Sequence, residues 1–105
     1  MYTRNVSMKL KVNCAPEFTR TLENEVIPML RKQKGFKDEI TLVAPERNEV
    51  VAISFWDRKE DAESYNREKY PEILKTLSKV VEGTPRVELF EVANSTSHQI
   101  AAKAA

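Results

Sequence analysis

Residues 49–57, EVVAISFWD, constrain the fold more than any other stretch of the chain. The segment has the composition of a β-strand, in which successive side chains point to opposite faces of the sheet. Both resulting faces are apolar, with Val51, Ile53 and Phe55 on one side and Val50, Ala52, Ser54 and Trp56 on the other. A strand that is apolar on both faces needs cover on both. We therefore expect helices of the same chain over one face and a second copy of the protein over the other.

Length and composition predict one globular domain. The chain has 105 residues, of which 41% are hydrophobic and 31% charged, and its formal net charge is +1. No acidic or basic block indicates nucleic acid or a membrane surface as a partner, and no segment is apolar for long enough to span a bilayer. The single Cys14 cannot form an intramolecular disulfide, so we expect a cytoplasmic protein. We expect a core over residues 3–94 and a tail over residues 95–105, frayed at 101–105.

Four segments carry strand patterns, and two helical segments separate them. The predicted strands cover residues 3–13, 36–44, 49–56 and 86–94. The short turn over residues 45–48 makes the second and third strands antiparallel neighbours. The order strand, helix, strand, strand, helix, strand predicts an α+β fold of the ferredoxin-like βαββαβ type, with an antiparallel sheet.

Both helical segments are predicted to be irregular. Pro28 lies within the apolar stripe of the first helix and has no backbone N–H, so we expect a kink near residues 24–26. Asp57 has the residue type of a helix N-cap and is expected to begin the second helix. Pro71 is expected to interrupt that helix, and Gly83 to end it.

The pattern resembles the antibiotic biosynthesis monooxygenase (ABM) superfamily. The resemblance covers residues 3–94 and rests on the element order, on Gly35-Phe36 after the first helix, on S-F-W-D at residues 54–57, and on the Tyr70-Pro71 break after Tyr65. It implies a homodimer whose two sheets close into one dimeric α/β barrel. The superfamily includes cofactor-free oxygenases of polycyclic phenols or quinols, haem-degrading enzymes, and members with no known reaction.

The same resemblance argues against haem. Haem-degrading members carry an Asn on the first strand, a Trp in the helix after the third strand, and a His ligand two to three turns further on. Asn5 matches the first of these and Tyr65 falls near the second, but residues 73–81 contain no His. Haem iron needs an axial ligand, so we expect no haem. We expect no other cofactor either.

Two residues are candidates for catalysis. Tyr65 is expected on the same side of its helix as Ala62, where a phenol could orient a quinol or relay a proton. The alternative is that Tyr65 only packs its ring. His98 is the single histidine, and histidine is the residue type that commonly acts as a base near neutral pH, so it could deprotonate a phenol to give a carbanion that reacts with O₂. The alternative is an exposed histidine in a surface tail.

Four further residues are candidates for substrate binding: Trp56, Asn66, Tyr70 and Asn5. Trp56 would form a pocket wall, or else be a core aromatic whose indole N–H bonds to backbone. Asn66 and Tyr70 lie one helical turn apart, and Asn5 comes from the resemblance. One Cys and one His cannot fill a structural zinc site, so we expect no metal, and only two glycines exclude a Gly-rich phosphate loop. The acidic pairs look like solvated helix faces, so no carboxylate is a candidate acid or base.

These observations leave two functions open. The first is a cofactor-independent monooxygenase acting on a small quinol- or phenol-type aromatic in a pocket between sheet and helices. The alternative is a non-catalytic homodimer of the same fold that binds a small aromatic or apolar ligand, or only assembles. RNA binding is not expected, because EVVAISFW lacks the glycine and the basic residue of the RNA-recognition motif.

Overall fold

Four strands form one antiparallel sheet in the order β2-β3-β1-β4 in the computed structural model, which describes residues 1–100. The strands are β1 (Tyr2–Leu10), β2 (Phe36–Ala44), β3 (Glu49–Trp56) and β4 (Val81–Glu91). The predicted α+β, ferredoxin-like fold is confirmed, and the bounds of β2 and β3 agree with the sequence prediction. The expectation of a frayed end at residues 101–105 lies outside the described residues.

The first helical segment contains the predicted irregularity. It consists of α1 (Ala15–Thr21), a π-helical turn (Leu22–Val26) and α2 (Ile27–Leu30). The wide turn comes immediately before Pro28, which cannot donate the backbone hydrogen bond that an α-helix requires there. The predicted kink near residues 24–26 is therefore confirmed as a π turn.

The second helical segment is interrupted where predicted. It consists of α3 (Lys59–Glu68) and α4 (Tyr70–Leu77), separated at Lys69, with Pro71 in the first turn of α4. Proline is tolerated in that position because the first N–H groups of a helix have no partner within the helix.

The expected helix cover of one sheet face is confirmed. Val50 and Trp56 of β3 are buried in a single core cluster with one stripe from each helical segment. The stripes are Phe18, Leu22, Val26 and Leu30 in the first segment and Ala62, Tyr65, Ile73 and Leu77 in the second. We call this the helix face of the sheet. Burying such side chains contributes about 1.5–3 kcal/mol each to folding.

The opposite face of the sheet, which we call the open face, is also apolar. It includes three side chains of β3: Val51, Ile53 and Phe55. In the β2–β3 register, Leu42 pairs with Val51 and Ile40 pairs with Ile53. Leu42 is 53% exposed, and Phe90 of β4 is 50% exposed. The helices described above all pack on the helix face, so their cover does not extend to this side.

Three predicted strand limits were wrong, among them the end of β4, which lies at Glu91 instead of residue 94. β1 ends at Leu10 instead of residue 13, because the chain turns at Asn13, which has a φ of 62°, and Val12 is 75% exposed. β4 begins at Val81 instead of residue 86 and contains both Gly83 and Pro85. Residues 83–85 of β4 all stand opposite Met8 of β1, and this irregularity in the pairing is a β-bulge in β4. A bulge accepts a glycine with positive φ and a proline without an N–H, so neither residue ends the element.

Asp57 is not the cap of α3. The helix begins at Lys59 without a side-chain cap bond. The backbone N–H of Asp57 instead donates to the Gly35 carbonyl oxygen at 2.8 Å. Gly35 has a φ of 80°, and a Cβ at this position would collide with the Asp61 carboxylate. The absence of a side chain at Gly35 thus allows α3 to approach closely. Within residues 1–100, no helix is long and apolar enough to cross a membrane.

Candidate functional site

A small cavity lies between the helix face and the helices. Its volume is about 40 Å³, which is enough for a few water molecules. The walls are apolar side chains of β1, the π turn and α4. Five lining residues carry polar groups: Arg4, Glu39, Ser54, Tyr65 and Tyr70.

Three of these polar residues form one row across the sheet. Glu39 of β2 pairs with Ser54 of β3, and Ser54 pairs with Arg4 of β1. Directly paired residues of antiparallel strands point to the same face, so all three side chains begin side by side on the helix face. Neighbouring strands lie about 4.8 Å apart, which separates the backbones of Glu39 and Arg4 by roughly 10 Å. We call this arrangement the polar row.

Arg4 places a buried positive charge at one end of the polar row. It is only 3% exposed, and its Nη2 and Nε donate to Asn66 Oδ1 at 2.8 and 3.2 Å. Its guanidinium carbon lies 3.9 Å from the centroid of the Tyr70 ring and 5.1 Å from that of Tyr65. Burial lowers the pKa of Arg4, and these aromatic faces partly compensate for the lost hydration. Among residues 1–100, no carboxylate forms an ion pair with it.

Tyr65 and Tyr70 bring two buried phenols to the cavity. The Tyr65 ring lies 5.2 Å from Trp56, between centroids, and burial raises its pKa to about 12. Tyr65 is therefore a neutral phenol at physiological pH, able to donate a hydrogen bond but unable to act as a base. Burial also raises the pKa of Tyr70, against the opposing charge of Arg4. The Tyr70 hydroxyl is buried, and the Tyr70 ring packs on the Arg4 guanidinium.

Glu39 lies at the other end of the polar row. Thr41 Oγ1 donates to Glu39 Oε2 at 2.7 Å. Burial raises the pKa of Glu39, the Thr41 hydrogen bond opposes this, and the neighbouring Asp38 adds to it. A carboxylate whose pKa is raised toward neutrality accepts a proton more readily than an ordinary glutamate.

The sequence prediction missed both Arg4 and Glu39. A signal for Arg4 was present, because it alternates in phase with Val6, Met8 and Leu10 and therefore belongs to the apolar face of its strand. Glu39 follows Asp38 in a strand whose polar residues look solvated. Only its register opposite Ser54 reveals that it lines a cavity.

No protein-family model matches the sequence, and no curated protein matches it either. Solved structures match most of the chain. A monooxygenase from the gene ActVA-Orf6 of Streptomyces coelicolor, solved in complex with nanaomycin D, has 13% identity and a TM-score of 0.75, covering 90% of this chain and 88% of its own. SnoaB of Streptomyces nogalater, a cofactor-independent oxygenase, has 15% identity and a TM-score of 0.71, with coverages of 90% and 95%.

A putative antibiotic biosynthesis monooxygenase from Deinococcus radiodurans also matches, with 10% identity, a TM-score of 0.73 and coverages of 90% and 95%. The chain has the fold of the antibiotic biosynthesis monooxygenases. At these identities the likeness concerns the fold, and the resemblance inferred from the sequence is confirmed at that level. We call it the ABM fold.

Within the ABM fold, three of the predicted site residues come together. Tyr65 and Tyr70 line the cavity, and Asn66 is exposed but holds Arg4 in place through its Oδ1. Trp56 is fully buried behind Tyr65 and does not line the cavity. Its indole Nε1–H donates to Ser54 Oγ at 2.8 Å, so it anchors the middle of the polar row.

Two predicted site residues lie on the open face. Asn5 pairs with Ile53, and its Oδ1 is buried with no partner among the described residues. The His98 ring lies 4.8 Å from that of Phe55, and His98 Nε2 lies 3.3 Å from Asp38 Oδ2. His98 therefore lies over the face opposite the cavity, and the sheet separates it from Tyr65. Within residues 1–100, no group of three or more His, Cys, Asp or Glu is arranged to hold a metal ion.

Proposed function

We propose that this ABM-fold chain is a cofactor-independent monooxygenase acting on a small phenol- or quinol-type aromatic. The observation that carries the proposal is the cavity between sheet and helices, where two neutral phenols, Tyr65 and Tyr70, face the guanidinium of Arg4. Apolar walls suit an aromatic ring, and phenolic donors suit an oxygen on which charge develops. The deprotonated aromatic would then react with O₂ directly. Residues 1–105 would act as one domain.

A substrate ring needs more room than the cavity provides, so the walls must move apart. Both interruptions of the helical segments contribute to these walls, Leu22 and Val26 through the π turn and Tyr70 through the start of α4. Interrupted helices have fewer regular backbone hydrogen bonds to break than continuous ones, and π turns recur at functional sites. Opening at these two places would widen the cavity without disturbing the sheet.

The proposed protein is a homodimer formed through the open face. That face carries a patch of large apolar side chains, the open-face patch, in which Ile40, Leu42 and Phe90 are exposed and Val51, Ile53 and Phe55 are half-buried. A contiguous apolar patch of this kind is typical of an interface. A second sheet over it would supply the cover that β3 requires on this side. Sedimentation equilibrium at micromolar concentration tests this, and a stable monomer would contradict it.

Oxygen consumption with a panel of quinols and anthrones tests the activity. We expect uptake by the wild-type protein and a loss of about 10- to 100-fold in Tyr65→Phe, because the variant lacks one of the two phenolic donors of the cavity. Tyr2→Phe is the matched control, since it removes a phenol that bonds Glu91 and does not line the cavity. His98→Ala tests the histidine prediction, and from its place on the open face we expect it to retain uptake. No uptake by the wild type across the panel would favour the non-catalytic, ligand-binding dimer.

A further inference from the structure

The two ends of the polar row carry opposite charges that do not neutralise each other. Arg4 is held by Asn66 and two aromatic rings, and Glu39 is held by Thr41. Ser54 lies between them and is occupied by the indole of Trp56. One apolar cavity thus has a carboxylate at one end and a guanidinium at the other, with roughly two strand spacings between their backbones.

This arrangement fits one class of aromatic. Such a molecule carries an acidic O–H or C–H at one end and an oxygen conjugated with it at the other. When the proton leaves, the electron pair spreads through the ring and negative charge accumulates on the distant oxygen. A base is needed at the first end and a cation at the second, which is the order of the polar row.

We propose that Glu39 removes the proton from one end of such a conjugated aromatic acid and that Arg4 binds the oxygen at the opposite end. The inference rests on the proposed function for the site and the general substrate class, and it adds the base and the anion-binding residue. In this step the substrate O–H or C–H bond breaks, and the proton forms the carboxylic acid of Glu39. The electron pair stays on the substrate, and no oxidant or reductant is consumed.

Two observations support this assignment over the phenols and the histidine. The Tyr65 pKa of about 12 makes that residue a poor base at neutral pH, whereas the Glu39 carboxylate lines the cavity and burial raises its pKa. His98 lies on the open face of the sheet. Tyr70 lines the same cavity with its ring on the Arg4 guanidinium, and its phenol would donate a second hydrogen bond to the same substrate oxygen.

Binding of para-nitrophenol tests the inference without oxygen chemistry. Its hydroxyl and nitro groups lie at opposite ends of the ring, and its absorbance distinguishes phenol from phenolate. At a mildly acidic pH, where the free probe is neutral, we expect the wild-type protein to bind it as phenolate. Calorimetry in buffers of different ionisation enthalpy should show no net proton release, because Glu39 retains the proton. The meta isomer, whose nitro group cannot take up the charge, should bind as neutral phenol.

Variants separate the two ends of the row. Glu39→Gln should release one proton to the buffer for each phenolate bound, because the acceptor is gone. Arg4→Met should lose the phenolate signal, because it removes the positive charge. Arg4→Lys keeps that charge and should retain the signal, so it serves as the second variant if Arg4→Met fails to fold. Glu46→Gln is the control, because it removes an exposed carboxylate in the turn after β2 that does not line the cavity, and it should keep the phenolate signal.

Three outcomes would overturn the inference: a neutral probe bound to the wild type, proton release by the wild type equal to that of Glu39→Gln, or no binding at all. Oxygen uptake in the panel together with a neutral bound probe would reject the inference and leave the proposed function standing. A phenolate signal with no oxygen uptake across the panel would reject the proposed monooxygenase function and leave the roles of Glu39 and Arg4 in binding standing.

Discussion

Val50 and Val51 are neighbours in β3 with identical side chains, yet they lie in opposite environments. Val50 is 1% exposed beneath the helices, whereas Val51 belongs to the open-face patch. The difference arises because both helical segments pack on the same side of the sheet, as the single core cluster shows. The two faces of one apolar strand therefore depend on different partners, one within the chain and the other, as we propose, in a second copy.

The polar residues of the two faces differ as well. On the helix face, Arg4 and Glu39 are charged groups set among apolar walls around a cavity. On the open face, His98 and Asp38 lie beside Phe55 at one end of the sheet. Charge in the interior is expensive and is retained mainly where it has a function, which directs attention to the polar row.

Val50→Asp should produce the largest effect. It buries an unpaired carboxylate in the core, so we expect a loss of about 4 kcal/mol or more in the free energy of unfolding. Urea denaturation followed by circular dichroism measures this. A variant that folds with a loss below about 1 kcal/mol would show that the helix face is not a closed core.

Val51→Asp should leave the chain folded and break the dimer. Placing a charge in each copy's open-face patch should weaken dimerisation at least about 100-fold, or roughly 2.7 kcal/mol. Sedimentation equilibrium measures the dissociation constant. Val12→Asp is the matched control, because Val12 is exposed and lies in the turn after β1. Equal dissociation constants for the two variants would refute the open face as the interface.

Tyr65→Phe should alter the stability of the helix face at alkaline pH. The ordinary tyrosine pKa is 10.0 and burial raises that of Tyr65 to about 12, so the unfolded chain loses this proton first as pH rises. The stabilisation is complete below pH 10 and declines by about 2 to 3 kcal/mol as pH approaches 12. In Tyr65→Phe, the free energy of unfolding measured by urea denaturation should not show the part of the alkaline decline that comes from ionisation of Tyr65. The wild-type protein is the comparison, and an identical decline in the wild type and the variant would contradict the burial of the Tyr65 phenol.

Glu39→Gln should have the smallest effect on stability, and it should stabilise the protein. Because burial raises the pKa of Glu39, its contribution to stability is complete below the ordinary glutamate pKa and is lost as pH rises. Asp38 adds to the shift, Thr41 opposes it, and Tyr65 and Arg4 face the same cavity. We expect a gain of less than about 1 kcal/mol at neutral pH, since water still screens part of the carboxylate, and none in acid.

Urea denaturation at both pH values measures this gain, with Glu46→Gln in the exposed turn after β2 as the control. Combined with a loss of oxygen uptake, a gain in stability would identify a residue kept for activity rather than for folding. A loss of stability at neutral pH would instead show that Glu39 supports the fold.

Local patterns in the sequence determined most of the architecture. The alternation over residues 49–56 gave the bounds of β3 and its two apolar faces, and Pro28 and Pro71 marked the interruptions of the helical segments. The helical spacing of Tyr65 with Ala62 placed both in the core. These features follow from interactions within a few residues, namely side-chain periodicity and the missing N–H of proline.

The tertiary structure alone decided the composition of the cavity. Arg4, Glu39 and Ser54 are far apart in the sequence and meet only because the strand register aligns them in one row. The same register allowed β4 to continue through Gly83 and Pro85 in a bulge, and the path of residues 92–98 put His98 on the open face. Register and chain path depend on pairing between distant segments, whereas periodicity within one segment fixes only which side chains share a face.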